Sequence, residues 1–295
     1  MYRRLMILSV AFLILGLPAA QAEKIKAIAT ISIIGDVVKN VAKDAVDLKE
    51  FVGPNGDAHE YEPTSEDAVA LSKADIVFEN DLHLEHWLDK LYVASGSKAK
   101  RVIVSTGVVS LTMADNPQET DPHAWQNVGN MIIYTQNVRD ALIALDPASK
   151  TKYENDASAY IAQLKALDKW VEEQVASIPA DKRKLVTNHD ALGYFARCYG
   201  FKIIGAVIPS ATTEAADPSA QQTAQLLDII KASGVHAIFP ENMANAKLSE
   251  ALSREAGVAV APELYTDALG SPGTDGDTYL KMIRHNVEVL VKYLK

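Results

Sequence analysis

Residues 147–178 constrain the fold of this chain more than any other segment. They carry apolar residues at spacings of three and four and contain no glycine, which predicts one long amphipathic helix. Asp146 and Pro147 precede it, as an N-cap residue and a proline at the first helical position. A helix over about 148–178 would be about 45 Å long. Because this exceeds the size of one small lobe, we expect a rigid strut that crosses two lobes.

Strands rich in Val and Ile alternate with helical patterns on both sides of the strut, which predicts an α/β fold with parallel sheets. The predicted strands are 25–30, 46–52, 74–79 and 101–105 in the first half, and 183–187, 201–207, 235–239 and 257–261 in the second. The segments 73–80 and 234–241 also resemble each other. We therefore expect two similar lobes, each a mainly parallel sheet flanked by helices, with a cleft between them. The predicted domains are a signal peptide (1–22), an N-terminal lobe (23–147), the connecting helix (148–178) and a C-terminal lobe (179–295).

The first 22 residues have the pattern of a secretory signal peptide. Arg3 and Arg4 precede an apolar core over 5–17, and Ala20-Gln21-Ala22 matches a cleavage site. No cysteine follows that site, so we expect a periplasmic protein without a lipid anchor.

Composition excludes several classes of protein. The chain has 29 Lys+Arg against 38 Asp+Glu, a formal net charge of −9, which argues against binding to nucleic acid. Cys198 is the only cysteine, so a disulfide scaffold and a Cys-based zinc finger are excluded. Its place among aromatic residues on a helical pattern predicts a buried small hydrophobe rather than a nucleophile.

Four polar residues follow predicted strands, at the end where parallel sheets bind ligands. His59 follows the second strand, His123 the fourth, His189 the first strand of the second half, and Asp267 the last. Three imidazoles and one carboxylate suit a divalent ion such as zinc. The alternative for each histidine alone is a loop or core residue bonded to a backbone carbonyl. The spacing by itself does not decide between the two, because the four residues are scattered along the chain.

Short motifs around these residues add a resemblance to a known family. They are His59-Glu-Tyr-Glu-Pro63, Asp121-Pro-His-Ala-Trp125, His189-Asp-Ala-Leu-Gly-Tyr-Phe-Ala196 and Tyr265-Thr-Asp-Ala-Leu-Gly270. From about residue 24 to 295 the chain resembles the solute-binding proteins of zinc and manganese ABC transporters, the cluster A-I family. The resemblance implies the same four metal ligands: His59, His123, His189 and Asp267.

The family pattern also bears on which metal is bound. In this family a histidine at the third ligand position goes with zinc and a glutamate with manganese or iron, and this chain has His189. Nitrogen ligands favour zinc, whereas oxygen-rich shells favour manganese. One family feature is missing, because the short segment 111–120 contains no histidine, where many zinc members carry a long His-rich loop.

Other polar residues are weaker candidates. His83 and His86, spaced i, i+3 on a predicted helix, could hold a second metal, although solvated histidines are the simpler interpretation. Glu60 is a candidate fifth ligand. Asp121 and Asp190 could orient loops or accept a ligand's second N–H, and Trp125 and Tyr265 are expected to pack around the site.

These observations predict a non-enzymatic, monomeric carrier that binds one Zn²⁺ and delivers it to the membrane permease of an ABC transporter. Whether a metallochaperone hands over the ion is left open. A manganese or mixed carrier is the alternative within the family. The alternatives outside it are a zinc-dependent hydrolase, with Glu60 as general base, and an adhesion protein in which the metal only stabilises the fold.

Overall fold

The structure is a computed structural model and describes residues 23–113, 118–208, 218–243 and 247–295. The predicted signal peptide lies outside these residues. No helix in the described ranges is long and apolar enough to cross a membrane.

The first half is built on a four-stranded parallel sheet. Its elements are β1 Ile25–Ile31, α1 Ser32–Ala42, β2 Val46–Val52, α2 Ser65–Lys73, β3 Ile76–Glu79, α3 Leu88–Ser95 and β4 Lys100–Ile103. The strand order is β2-β1-β3-β4. The last five residues of β1 are buried, as expected of a central strand covered on both faces.

The second half repeats this order. Its elements are β7 Lys184–Thr187, α6 Gly193–Tyr199, β8 Lys202–Ala206, α7 Ala220–Ser233, β9 Ala237–Ile238, α8 Lys247–Ala256, β10 Ala259–Val260 and α9 Tyr279–Leu294. The pairs β7–β8 and β9–β10 are parallel, and a parallel bridge between Thr187 and Phe239 joins them. The resulting order, β8-β7-β9-β10, corresponds strand for strand to that of the first half.

Along the chain, a short hairpin and two helices connect the strands of the first half to those of the second. They are β5 Leu111–Thr112, β6 Thr120–Asp121, α4 Val128–Leu145 and α5 Lys150–Ala176. The Asp146 side chain accepts a hydrogen bond from the backbone of Ser149, in a 3-10 turn that has Pro147 at its first position and leads into α5. At 27 residues, α5 is about 40 Å long. It is the long helix that the sequence predicts. The domain boundaries given above remain a prediction.

One face of α5 is buried along its length. A stripe with spacings of three and four is formed by Tyr153, Ala157, Tyr160, Leu164, Leu167, Val171 and Val175. The helix packs against α1 and α4 and against α9. The buried Asp36 carboxylate adds polar contacts, because its Oδ2 accepts hydrogen bonds from the Tyr160 hydroxyl at 3.1 Å and the Tyr279 backbone at 3.3 Å. The strut is therefore fixed to helices from both halves.

Helix boundaries follow local chemistry. Thr64 and Asp67 form a capping box that begins α2, and Ser219 and Gln222 do the same for α7. Gly234 ends α7 at a φ of 68°, a backbone conformation that glycine adopts without strain.

The structure departs from the sequence prediction at two places that bear on function. The antiparallel hairpin β5–β6 was not predicted, so His123 follows β6 and not the fourth strand of the sheet directly. The helix predicted to carry His83 and His86 begins only at Leu88, because the chain first makes a left-handed turn in which Asp81, Leu82 and His83 have φ values of 54–69°.

Candidate metal site

The loops that follow β2 and β6 carry the two candidate ligands of the first half. His59 is 1% exposed, and its backbone N–H donates to Asp57 Oδ1 at 2.8 Å. His123 is fully buried. Its backbone N–H donates to Asp121 Oδ1 at 2.9 Å, and its ring Nδ1 lies 2.8 Å from the same oxygen. Asp121 thus fixes both the backbone and the ring of His123.

The second half supplies the other two candidate ligands. His189 follows β7, and the buried Glu241, which follows β9, holds it. Glu241 Oε1 accepts the His189 backbone N–H at 2.9 Å, and Glu241 Oε2 lies 2.6 Å from His189 Nδ1. The Thr266 hydroxyl donates to Glu241 Oε2 at 2.8 Å. Because Thr266 directly precedes Asp267, the Glu241 carboxylate contacts the loops of both ligands of the second half.

Contacts from the first half also fix the loop that carries Asp267. The Thr266 carbonyl accepts hydrogen bonds from Trp125 Nε1 at 2.7 Å and from Gln126 Nε2 at 2.8 Å. Trp125 is fully buried, and its ring packs edge-on against His123 with centroids 5.4 Å apart. It closes one side of the site, as the sequence predicts for it.

The structure brings all four predicted residues together. His123 Nε2 lies 3.3 Å from His59 Nε2 and 3.2 Å from His189 Nε2. The Asp267 carboxylate approaches the same three nitrogens, at 3.4 Å from His59, 3.5 Å from His123 and 3.1 Å from His189. It is the one group of three or more potential metal ligands among the described residues, and its ligand atoms lie within 4.8 Å of one another.

These distances match the edges of a small coordination polyhedron. Four tetrahedral ligands at about 2.0–2.1 Å from zinc lie about 3.3–3.4 Å from one another. With Asp267 Oδ2 as the fourth ligand atom, four of the six pairs are separated by 3.1–3.4 Å. The other oxygen, Oδ1, lies 3.5 Å from His123 Nε2. The side chains are therefore spaced as a bound ion would require.

The polar surroundings prepare the imidazoles for an ion. Asp121 and Glu241 each face an Nδ1 atom, at 2.8 and 2.6 Å. For His123 this contact is a hydrogen bond, so a proton on its Nδ1 points at Asp121 and leaves the Nε2 lone pair free, which is the arrangement of metal-binding histidines. For His189 the contact of Nδ1 with Glu241 is a close charge contact without hydrogen-bond geometry. Both oxygens of the buried Asp267 carboxylate lack a hydrogen-bond partner. Such a group is costly to bury unless a cation compensates its charge.

The charges of the cluster perturb its pKa values strongly. Burial alone would lower the pKa of His189, but the Glu241 and Asp267 carboxylates outweigh it and raise the pKa well above its usual value. Burial alone would raise the pKa of Asp267, but His189 and His123 hold it well below the usual range. The cluster thus attracts positive charge, either a proton or a metal ion.

A family assignment follows from comparison with known sequences. The sequence model of the periplasmic zinc-uptake complex component A, ZnuA, matches residues 28–293. The chain belongs to this family.

Relatives named for different metals match over most of their length. The manganese-binding lipoprotein MntA of Halalkalibacterium halodurans is 35% identical over 272 residues, which cover 92% of this chain and 89% of that protein. The iron ABC transporter substrate-binding lipoprotein MtsA of Streptococcus pyogenes is 35% identical over 282 residues, covering 92% and 90%. The structure of the periplasmic zinc-binding protein TroA from Treponema pallidum is 33% identical, with a TM-score of 0.86 and coverage of 92% and 99%.

Membership of the ZnuA family establishes the class of the protein. It is an extracytoplasmic, metal-binding solute-binding component of an ABC transporter that works with a membrane permease, and it is not an enzyme. The hydrolase and adhesion hypotheses are set aside. The two-lobe α/β fold with a long connecting helix is also confirmed. The absence of a lipid anchor and the monomeric state stay predictions.

The structure separates several weaker candidates from the cluster. Glu60 is exposed and is not part of it. His83 and His86 are exposed and lie in turns before α3, so the helical i, i+3 spacing predicted for them is wrong. Tyr265 packs against His285, with ring centroids 5.0 Å apart.

Two further residues, Cys198 and Glu241, depart from the sequence prediction. Cys198 is exposed, so its predicted burial is wrong; desolvation still raises the pKa of its thiol, which does not favour a nucleophilic thiolate. The role of Glu241 was missed. Its position after a predicted strand, like that of the four candidate ligands, was the available signal.

Proposed function

We propose that this protein is the zinc-binding component of its transporter and carries one Zn²⁺ between His59, His123, His189 and Asp267. The observation that supports this most is the set of four distances of 3.1–3.4 Å among the three Nε2 atoms and Asp267 Oδ2. Three nitrogens and one carboxylate oxygen at this spacing suit zinc, because zinc sites in proteins are mostly four-coordinate and tetrahedral and use N and O donors.

Charge supports the same proposal. Asp267, Asp121 and Glu241 are the carboxylates in contact with the three imidazoles. A divalent ion would compensate most of this buried charge. With four protein ligands on the ion no position is left for a substrate water, as expected for a carrier site.

Release to the permease follows from the division of the ligands between the halves. His59 and His123 come from the first half, and His189 and Asp267 from the second. Separating the halves removes two ligands at once, because each half retains only one pair. We propose that the permease drives this separation.

A manganese or mixed carrier is the second candidate, and one observation favours it. Both oxygens of Asp267 face the histidine nitrogens, Oδ1 towards His123 and Oδ2 towards His59 and His189. A bidentate carboxylate would offer five donor atoms, two of them oxygens, and manganese favours oxygen ligands and higher coordination. The relative named for manganese binding adds weight to this candidate.

A competition titration distinguishes the two candidates. Mature protein stripped with chelator is titrated with Zn²⁺ and with Mn²⁺ against chelators of known affinity, and its metal content is determined by mass spectrometry. One tight zinc site with much weaker manganese binding is the expected result. Comparable affinities would favour the mixed carrier, and a second zinc equivalent would bring His83 and His86 back as a site. Failure to bind either ion tightly would overturn the proposal.

A further inference from the structure

A single asparagine of the first half makes three hydrogen bonds to the second half. Asn55 lies in the loop between β2 and α2, four residues before His59. Its backbone N–H donates to the Leu269 carbonyl at 2.8 Å. Its side-chain Nδ2 donates to Ser271 Oγ at 2.9 Å, and its Oδ1 accepts from Asn242 Nδ2 at 2.9 Å.

The partners of Asn55 belong to the two loops that support the metal cluster. Asn242 follows Glu241, the residue that holds His189, and its Oδ1 accepts the backbone N–H of Thr266 at 3.4 Å. Leu269 is two residues beyond Asp267. The Asn55 contacts therefore join the loop of His59 to the loops that position His189 and Asp267.

The backbone of Asn55 is itself adapted to this position. Its φ is 56°, in the left-handed region that asparagine tolerates better than most residues. In this conformation both the backbone N–H and the side-chain amide contact the second half. A residue with an apolar side chain would make only the backbone contact.

We propose that the Asn55 side chain is a positioning residue that holds the two halves together around the ion and thereby slows metal release. This inference rests on the proposed function, because it concerns the same cluster. The side-chain bonds of Asn55 join the two halves, so separating the halves breaks them. Removing them favours the separated state, and the dissociation rate rises while the association rate changes little.

The test uses a substitution that leaves the backbone unstrained. Asn55→Gly retains the positive φ and the N–H bond to Leu269 but removes both side-chain bonds. Ser271→Ala removes one of the two. As a matched control, Asn40→Ala removes an amide whose Nδ2 donates to the Asp36 carbonyl at 2.9 Å within α1, so it makes no bond between the halves.

Zinc release is measured by stopped flow, by mixing the zinc-loaded protein with an excess of a fluorescent chelator, and thermal unfolding of the metal-free proteins is measured in parallel. We expect release from Asn55→Gly to be about tenfold faster than from wild type, and from Ser271→Ala about threefold faster. The double variant should match Asn55→Gly alone, because the serine then has no partner to lose. Asn40→Ala should release zinc at the wild-type rate.

Three outcomes would overturn the inference. The first is an unchanged release rate in a folded Asn55→Gly protein. The second is a double variant whose effect is the product of the two single effects, because the two residues would then act independently. The third is a wild-type protein that binds no zinc tightly, which overturns the proposed function and this inference with it; the first two leave the proposed function standing.

Discussion

Glu241 holds His189 at two points, with one carboxylate oxygen 2.9 Å from the backbone nitrogen and the other 2.6 Å from ring Nδ1. The carboxylate charge beside Nδ1 favours a proton on that nitrogen and leaves Nε2 to the ion. In Glu241→Gln, the glutamine at position 241 has only one side-chain oxygen. If its NH₂ group faces Nδ1, the charge contact with the ring is lost; if its oxygen faces Nδ1, the bond from the His189 backbone N–H is lost. We expect zinc affinity to fall about 10- to 100-fold, the usual effect of losing such a partner.

Competition titration with a chelator measures this change, and Glu60→Gln provides the control. Glu60 is an acidic residue next to His59 but is exposed and outside the cluster, so its variant should keep the wild-type affinity. If Glu241→Gln bound zinc as tightly as Glu60→Gln does, the orienting role of Glu241 would be wrong.

The identity of the third ligand should control metal preference. His189→Glu exchanges a nitrogen donor for oxygen, which is expected to weaken zinc binding more than manganese binding and to shift the ratio of the two affinities by about tenfold or more. Paired titrations with the two ions measure the ratio. His236→Glu, at an exposed histidine, is the control. An unchanged ratio in His189→Glu would favour the manganese or mixed carrier.

Zinc affinity should decrease as the pH falls from 7.5 to 5. Metal ligands bind in their deprotonated form, and the neighbouring carboxylates raise the pKa of His189 well above its usual value. A proton therefore competes with the ion for this histidine, and the competition grows with acidity. Calorimetry in buffers of different ionisation enthalpy should also detect proton release on binding. Affinity that stayed constant over this pH range would contradict a three-histidine shell.

Much of the fold follows from local sequence patterns. The sequence predicts eight strands in the two sheets, and all eight form within two residues of their predicted starts, because alternating strand and helix periods are strong local signals. The hairpin β5–β6 escaped because strands of two residues are too short to show a period. The turn at 81–83 escaped because three consecutive non-glycine residues rarely adopt left-handed backbone, and Leu82 is not of a type that favours it.

The candidate ligands could be predicted and their supporting residues could not. Three of the ligands follow predicted strands, whereas His123 follows the unpredicted β6, and the family motifs supplied what strand position alone left open. The contact of Glu241 with His189 spans 52 residues, and that of Asn55 with Asn242 spans 187. Such pairs depend on how the two halves pack, which no local pattern contains. Cys198 was misjudged for a related reason, because a short helical pattern does not tell which face a neighbour covers.

Glu85 should make the metal-free protein less stable as the pH rises from about 4.5 to 7. Burial raises the pKa of its carboxyl from 4.5 to about 7, although hydrogen bonds from Thr30, Asn80 and Asp81 oppose the shift. The folded state thus retains a proton that the unfolded state has lost. The stabilisation is complete below pH 4.5 and disappears as the pH rises through the folded-state pKa. It amounts to about 3 kcal/mol over the window.

Urea unfolding of the metal-free protein between pH 4.5 and 8 measures this dependence. The contribution of Glu85 should be absent from Glu85→Gln, so the stability of wild type relative to this variant should decline with pH by the stated amount. Glu60→Gln, at an exposed acid, should follow wild type. A wild-type profile parallel to that of Glu85→Gln would show that Glu85 titrates normally in the folded state.

The strut should keep the movement of the two halves small when metal binds. The seven buried residues of α5 lie on one stripe that packs against α1, α4 and α9, and Asp36 bonds to Tyr160 of α5 and Tyr279 of α9. A wide hinge motion would break these contacts and expose buried side chains. We therefore expect small-angle scattering to give the same radius of gyration, about 18 Å, for the metal-free and zinc-loaded protein. A clear decrease on adding zinc would mean that α5 bends or separates from one half.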